Sequence, residues 1–226
     1  MATKKNTDQE VLSRENIEET VSKAEQFFNE NKKTIWGVII AVAVLVILCI
    51  AYGEFIAKPK IKEAMEQMYP AESSFAQGEY ELALNGDGNV MGFNDIMAEY
   101  GAKGGKDIYL YTGICNLKLG NYDEAIKDLK RYKGKDAILA ARAEACIGDA
   151  YVGLENYAEG IRHFMKAAER ADNMFAAEYL LKAGVANEEL GNTKEAIKCY
   201  KAIKEKYPES MQGYDIDKYI SRIEAE

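Results

Sequence analysis

One uninterrupted apolar stretch dominates the hydropathy pattern of the chain. Residues 35–52 read IWGVIIAVAVLVILCIAY and contain no charged side chain. As an α-helix they would extend about 27 Å at roughly 1.5 Å per residue, close to the ~30 Å hydrocarbon core of a bilayer. Trp36 and Tyr52 stand near the two ends, where amphipathic aromatic side chains favour the headgroup region. The pattern predicts one transmembrane helix at residues 35–56, preceded by a tail at residues 1–34.

Three other interpretations of this stretch fit less well. A cleaved signal peptide has a basic start, a shorter apolar core and a small-residue cleavage site, whereas here more than thirty residues, several of them acidic, precede the apolar run. A lipid-modified Cys49 would need a small residue before it, and Leu48 stands there. A buried core helix would be shorter and would have a polar face.

The tail is predicted to form a partly amphipathic helix, because Ile17, Val21, Ala24 and Phe28 recur at helical spacing. Lysines flank both ends of the apolar stretch in similar numbers, so the positive-inside rule gives little information on orientation. An uncleaved N-terminal anchor usually keeps its tail in the cytoplasm and its folded domain outside. We expect that arrangement.

Downstream of the apolar stretch, residues 57–226 lack strand-type alternation, but they repeat. Glycines recur at intervals of 35 and 36 residues, and a small residue and then a large residue follow each glycine at nearly constant offsets. The turns inside the units read LGNYDEAI, LENYAEGI and LGNTKEAI. A repeat of this length is typical of stacked helical solenoids. The recurring positions are Gly113, Gly148 and Gly184; Ala125, Gly160 and Ala196; and Leu129, Phe164 and Tyr200.

These positions resemble the tetratricopeptide repeat. The resemblance implies two antiparallel helices per unit, with Gly or Ala where the helices cross and a large residue in the neighbouring gap. Asn116 and Asn187 occupy usual Tyr positions of the repeat, and Gly160 occupies a usual Ala position. We expect an all-α fold, in which the transmembrane helix precedes a tetratricopeptide-repeat α-solenoid of about 3–4 helix pairs with a C-terminal capping helix.

The alignment also predicts the limits of the units. The first unit is the weakest match and contains an insertion around residues 85–92. The capping helix is expected to pack through Tyr214, Ile216, Tyr219, Ile220 and Ile223. The predicted units are residues 61–100, 106–139, 141–174 and 177–210, and the predicted cap is residues 213–224.

Charge and cysteine content exclude some classes of partner and scaffold. The chain has a net charge of −8, and residues 57–226 hold 23 Lys and Arg against 29 Asp and Glu. No basic run occurs, and phosphate neutralisation needs clustered Lys and Arg, so no nucleic-acid partner is expected. Three of the four cysteines lie in residues 57–226, far apart. They cannot all pair, so we interpret them as buried small side chains and not as a disulfide framework.

No motif predicts catalysis, and we expect no enzyme, cofactor, metal site or small-molecule substrate. The chain has one histidine, His163, which excludes a His-rich metal site and a catalytic dyad, and we interpret it as a surface or flanking residue on the second helix of a repeat. Residues 85–89 lack the further Gly and Glu of a calcium loop. Residues 104–106 lack the first Gly and the Ser or Thr of a phosphate loop.

A protein partner is the remaining expectation. In tetratricopeptide domains the first helix of each pair lines a concave surface, and the resemblance implies that role for positions of this chain. These positions mix apolar with mostly acidic side chains, which would suit an extended or helical protein segment with some positive charge. Alternatively, neighbouring units cover several of them. The candidate groove residues are Asp107, Leu110, Ile114, Leu117, Arg142, Ala145, Asp149, Val152, Glu178, Leu181, Val185 and Glu188.

The whole layout resembles the ancillary Sec-translocon subunit family of bacterial inner-membrane proteins. The similarity extends over AEQFFNENKK before the apolar stretch, AESSFAQGEYELALNGDG after it and KEAIKCYKAIKEKYPES near the end. It implies a Bacteroidetes-type member in the inner (plasma) membrane, with its repeats in the periplasm. The expected partners are translocon components, periplasmic chaperones or exported chains.

Two other functions stay open. An envelope scaffold for cell division or outer-membrane assembly would use the same architecture. A membrane adaptor of inverted topology would present the repeats to the cytosol. Protease accessibility distinguishes the adaptor, and co-purifying proteins distinguish the scaffold from a translocon subunit.

Overall fold

The computed structural model describes residues 30–105, 107–171 and 173–225, and the predicted tail helix lies outside them. The chain divides into two compact units between Pro59 and Lys60. The described residues are mostly helical and contain no strand. The prediction of an all-α fold is therefore confirmed.

The first unit contains the apolar helix. Helix α1 covers residues 30–52, and a π-helical turn follows at Gly53–Ala57, where the Lys58 N–H donates to the Gly53 carbonyl. Pro59, which has no N–H to donate, lies two residues after the end of this turn. Helical backbone continues to Ala76, and within the described ranges this is the one helix that is long and apolar enough to cross a membrane.

The second unit begins with three helices that share an aromatic cluster. They are α2 (Lys58–Ala76), whose first residues precede the unit boundary, α3 (Tyr80–Asn85) and α4 (Phe93–Tyr100). The Phe75 ring lies 5.0 Å from the Tyr111 ring, and the buried Phe93 ring stacks on Tyr111 at 5.2 Å. Residues 86–92, which belong to the expected insertion, form the loop that separates α3 from α4.

Three helix pairs and a final helix complete the second unit. Each pair joins two helices through a short turn, as the repeat predicts. Side-chain caps help to start several helices: Asp136 accepts from the Leu139 N–H, and Ser210 accepts from the Gly213 N–H. The helices are α5 (Ile108–Lys118), α6 (Tyr122–Arg131), α7 (Ala137–Gly153), α8 (Tyr157–Ala171), α9 (Met174–Glu189), α10 (Thr193–Lys206) and α11 (Met211–Glu224).

The repeating glycines lie where the two helices of each pair approach most closely. A Cβ atom at Gly148 would lie 2.6 Å from Phe164 Cε1, and one at Gly184 would lie 2.2 Å from Tyr200 Cε1. Both aromatic partners are almost completely buried. The large residue of each unit thus occupies the space that a side chain would need, which explains the pairing of glycine with a large residue.

The turns between paired helices need left-handed backbone. Gly120 and Gly191 have φ values of 81° and 71°, and at the matching turn Glu155 has a φ of 60°. A residue with a Cβ is strained in this region. The Glu155 N–H donates to the Val152 carbonyl at 2.9 Å and closes the helix end, as the N–H groups of Gly120 and Gly191 do at the matching turns.

Helix α11 covers the last pair. Ile216, Ile220 and Ile223 are buried, and the Tyr219 ring lies 5.4 Å from the ring of Tyr200. The expectation that Tyr214 also packs is wrong, since its side chain is 77% exposed. Two residues before Ile216 on a helix, Tyr214 points away from the buried face.

The three cysteines of the pairs are free thiols in buried positions. Cys115 lies in α5, Cys146 in α7 and Cys199 in α10, so each pair holds one. Burial raises the pKa of the Cys115 thiol to about 12 and that of Cys146 to about 11. The pKa of Cys199 is raised for the same reason.

Candidate partner-binding groove

A groove runs along the first helices of the three pairs and consists of two adjoining depressions. The first depression lies between α5, α7 and α9 and has a volume of about 380 Å3. Predicted groove residues from all three helices line it. They are Ile114, Leu117, Arg142, Ala145, Asp149 and Glu178.

The second depression, of about 390 Å3, lies between α7, α8 and α9 and is more apolar. Its predicted residues are Asp149, Val152, Leu181 and Val185, and Phe164 also lines it. The Val185 side chain is 40% exposed, and Val152 and Leu181 are half-buried. These side chains form a small apolar surface that a partner could cover.

An ion pair joins the two depressions. Lys182 Nζ lies 2.8 Å and 3.0 Å from the two carboxylate oxygens of Asp149, and both residues line both depressions. Burial alone would lower the pKa of Lys182, but the neighbouring Asp149 and Glu178 carboxylates outweigh it and raise that pKa. Lys182 is therefore a fixed cation between α7 and α9.

Three predicted residues line neither depression. Leu110 is buried among α5, α6 and α7. Asp107, just before α5, is exposed. Glu188 accepts hydrogen bonds from the Tyr200 hydroxyl and, at 2.6 and 2.9 Å, from Arg222, which ties α9 to α10 and α11. Their assignment to a binding surface stays a prediction that the geometry does not favour.

Sequence reasoning missed several groove residues. Ile138 and Phe175, at the starts of α7 and α9, are 45% and 46% exposed and line the first depression. Lys118 and Lys182 also line it, so the groove carries mixed charge instead of the acidic charge that was expected. Lys182 could have been found from its spacing, since it follows Glu178 by one helical turn on the groove side.

A buried polar network lies on another side, between α7 and α8, and corrects the surface interpretation of His163. That residue is only 4% exposed. Its Nε2 lies 2.9 Å from Arg162 Nη2, which can only donate, so the neutral ring carries its proton on Nδ1. Nδ1 donates to Glu144 Oε2 at 2.8 Å, and Lys166 Nζ lies 2.6 Å from Glu144 Oε1.

The pKa values in this network follow from its geometry. Burial, aided by the Arg162 charge, lowers the pKa of His163 despite the Glu144 carboxylate. Burial opposes ionisation of Glu144, but hydrogen bonds from Lys166 and His163 outweigh it and hold the pKa below its usual value. Throughout residues 30–105, 107–171 and 173–225, no group of three or more His, Cys, Asp and Glu side chains could hold a metal ion.

Comparison with known proteins identifies the repeat and the fold. The family model for the tetratricopeptide repeat matches residues 107–136 and 178–210. A solved structure titled "Crystal structure of MamA protein" superposes with a TM-score of 0.55, covering 74% of this chain and 83% of that chain. The two sequences are 16% identical, so the similarity concerns the fold alone. No curated protein matches the sequence.

The chain therefore contains tetratricopeptide repeats folded as an α-solenoid, with one long apolar N-terminal helix. Tetratricopeptide repeats typically form non-enzymatic scaffolds that bind other proteins, and no catalytic family is indicated. The chain is thus a protein–protein interaction module.

Proposed function

We propose that this chain holds a protein partner at a membrane surface, with the groove along α5, α7 and α9 as the binding site. The observation that carries the proposal is the apolar second depression, in which Val152, Leu181 and Val185 remain accessible beside the Asp149–Lys182 pair. Apolar contacts with a few fixed polar groups are what an extended or helical peptide segment needs from its receptor.

A photo-crosslinking residue at Val185 in the full chain, in native membranes, tests this site. We expect a defined adduct with a partner protein, because position 185 lies in the accessible part of the groove. The matched control places the same residue at Lys198, an exposed position on α10. Equal adducts from both positions, or none from position 185 while the chain retains its partners, would rule out the groove.

The apolar helix supports a membrane anchor, with the tail cytoplasmic and the repeats in the periplasm. The orientation rests on the usual behaviour of uncleaved N-terminal anchors and on the resemblance described above. Protease treatment of spheroplasts tests it: the repeats should be digested without lysis. Digestion only after lysis would instead favour an adaptor that faces the cytosol.

For the partner, we propose the Sec translocon or the periplasmic chaperones that receive exported chains. The support is the similarity of layout, a tail, one apolar helix and a few repeats, to ancillary translocon subunits. Gentle detergent purification from native membranes, followed by identification of co-purifying proteins, tests this proposal. Recovery of division or outer-membrane assembly proteins without Sec components would overturn it and favour the envelope scaffold.

A further inference from the structure

The fold assembles a basic cleft that is separate from the groove. Its basic residues are not consecutive in the sequence. We call Lys130, Lys133, Arg162, Lys166 and Arg170 the basic cleft. These cations come from α6, from the loop after it and from α8, and they line an open cavity of about 480 Å3. Among the described residues that line it, the only carboxylate is Glu144. Four net positive charges thus face one cavity in a chain of net charge −8.

Glu144 and His163 line the basic cleft, and Glu144 contacts two of its cations. The Glu144 carboxylate lies 2.6 Å from Lys166 and 3.7 Å from Arg170, and its side chain is 13% exposed. His163 fixes the orientation of that carboxylate by donating a hydrogen bond from Nδ1. The side chains of Arg162, Lys166 and Arg170 remain 56%, 44% and 46% exposed, although the Glu159 carboxylate lies 2.6 Å from Arg162.

The cations of α8 form an evenly spaced row. Arg162, Lys166 and Arg170 follow one another at intervals of four residues, which is about 6 Å along a helix. In an extended peptide, side chains on the same face recur every second residue, at about 6.5 Å. Carboxylates at alternate positions of an extended segment would therefore meet successive cations of this row. Lys130 and Lys133, from α6 and the loop after it, line the same cavity and would contact the same segment.

We propose that the basic cleft binds an extended acidic segment of a protein, with Asp or Glu at alternate positions. A single phosphate group would engage only one turn of the α8 row and would leave the remaining cations without a ligand. A segment with three carboxylates matches the length of the row. This binding does not depend on the groove, so one surface can fail its test while the other passes.

Fluorescence anisotropy of the full chain in non-ionic detergent tests the basic cleft. The probe is a fluorescein-labelled peptide in which Glu and Ser alternate over about eight residues. We expect Lys133→Gln/Lys166→Gln/Arg170→Gln to weaken binding about tenfold or more through the loss of three ion pairs. The matched control, Lys194→Gln/Lys201→Gln/Lys206→Gln, removes three exposed charges from α10 and should leave binding nearly unchanged.

Because Lys166 and Arg170 also compensate Glu144, a second variant guards against misfolding. Lys130→Gln/Lys133→Gln leaves the partners of Glu144 intact and should still weaken binding by several-fold, with an unchanged circular dichroism spectrum. Equal weakening by the α10 control would show non-specific attraction and overturn the proposal. So would equal binding of a Gln–Ser peptide, or displacement of the probe by equimolar inorganic phosphate or by a short oligonucleotide.

Discussion

At the scale of single residues, His163 and Glu155 show what the sequence can and cannot reveal. The repeat alignment places Gly148 and Gly184 at helix crossings, because a missing side chain leaves a periodic signal in the sequence. His163 leaves no such signal, since burial of one polar residue depends on partners from another helix, here Glu144. The Asp128 carboxylate is a similar case: it is buried beside Asn116, and burial raises its pKa.

His163 should titrate below the ordinary histidine pKa of about 6.5. Unfolded chain binds a proton near that pH while the folded chain does not, so stability should fall as pH decreases from about 6.5 to the lower folded pKa. NMR titration of histidine-labelled protein measures the shift without ambiguity, because the chain has one histidine. His163→Gln should flatten the pH dependence of thermal unfolding in this window. A pKa at or above the ordinary value would contradict the buried network.

Glu155→Gly should stabilise the second unit by about 1 kcal/mol, because glycine relieves the left-handed strain at this turn. The side chain is exposed, so little packing is lost. Glu169→Gly, at an exposed position within α8, is the control and should destabilise by about 1 kcal/mol. Urea unfolding followed by circular dichroism distinguishes the two. Destabilisation by both variants would mean that the turn is not strained.

At the scale of elements, periodicity predicts the helix pairs well, because the two helices of a pair pack through residues at fixed offsets in the repeat. The alignment places the turn near residue 155 between helices that the structure ends at Gly153 and begins at Tyr157. The groove is harder to predict, since which side chains stay accessible depends on the packing of three different helices. Leu110 is buried by α6 and α7 and Glu188 is held by α10 and α11, and neither contact has a local sequence pattern.

Gly148→Leu should force α7 and α8 apart. The new side chain would meet the Phe164 ring, which is buried and cannot move aside, so we expect a loss of about 1–3 kcal/mol in unfolding free energy. Ala158→Leu, at an exposed position of α8, introduces the same leucine side chain without a clash and serves as the control. If both variants melt at the temperature of the unchanged chain, the crossing point lies elsewhere.

At the scale of the whole molecule, composition and repeat length are sufficient to predict the architecture. A charge-free apolar run commonly forms a long helix, and a 35-residue period commonly forms helical repeats. The structure contains both. The basic cleft could not be predicted in this way. Its cations come from two repeats and are separated by up to forty residues, so only the folded chain brings them together.

The rates at which the three buried thiols react can show how often each part of the solenoid opens. A maleimide reagent reacts with the thiolate, so Cys115, Cys146 and Cys199, which are at most 9% exposed, should react mainly when the helices around them separate. In a solenoid, each unit contacts mainly its neighbours, so units can open separately. We therefore expect Cys115, which is fully buried against the helices before α5, to be labelled most slowly, and Cys146, which lines the first depression, to be labelled faster when each site is followed by mass spectrometry. Identical rates at all three sites would show instead that the repeats open as a single cooperative body.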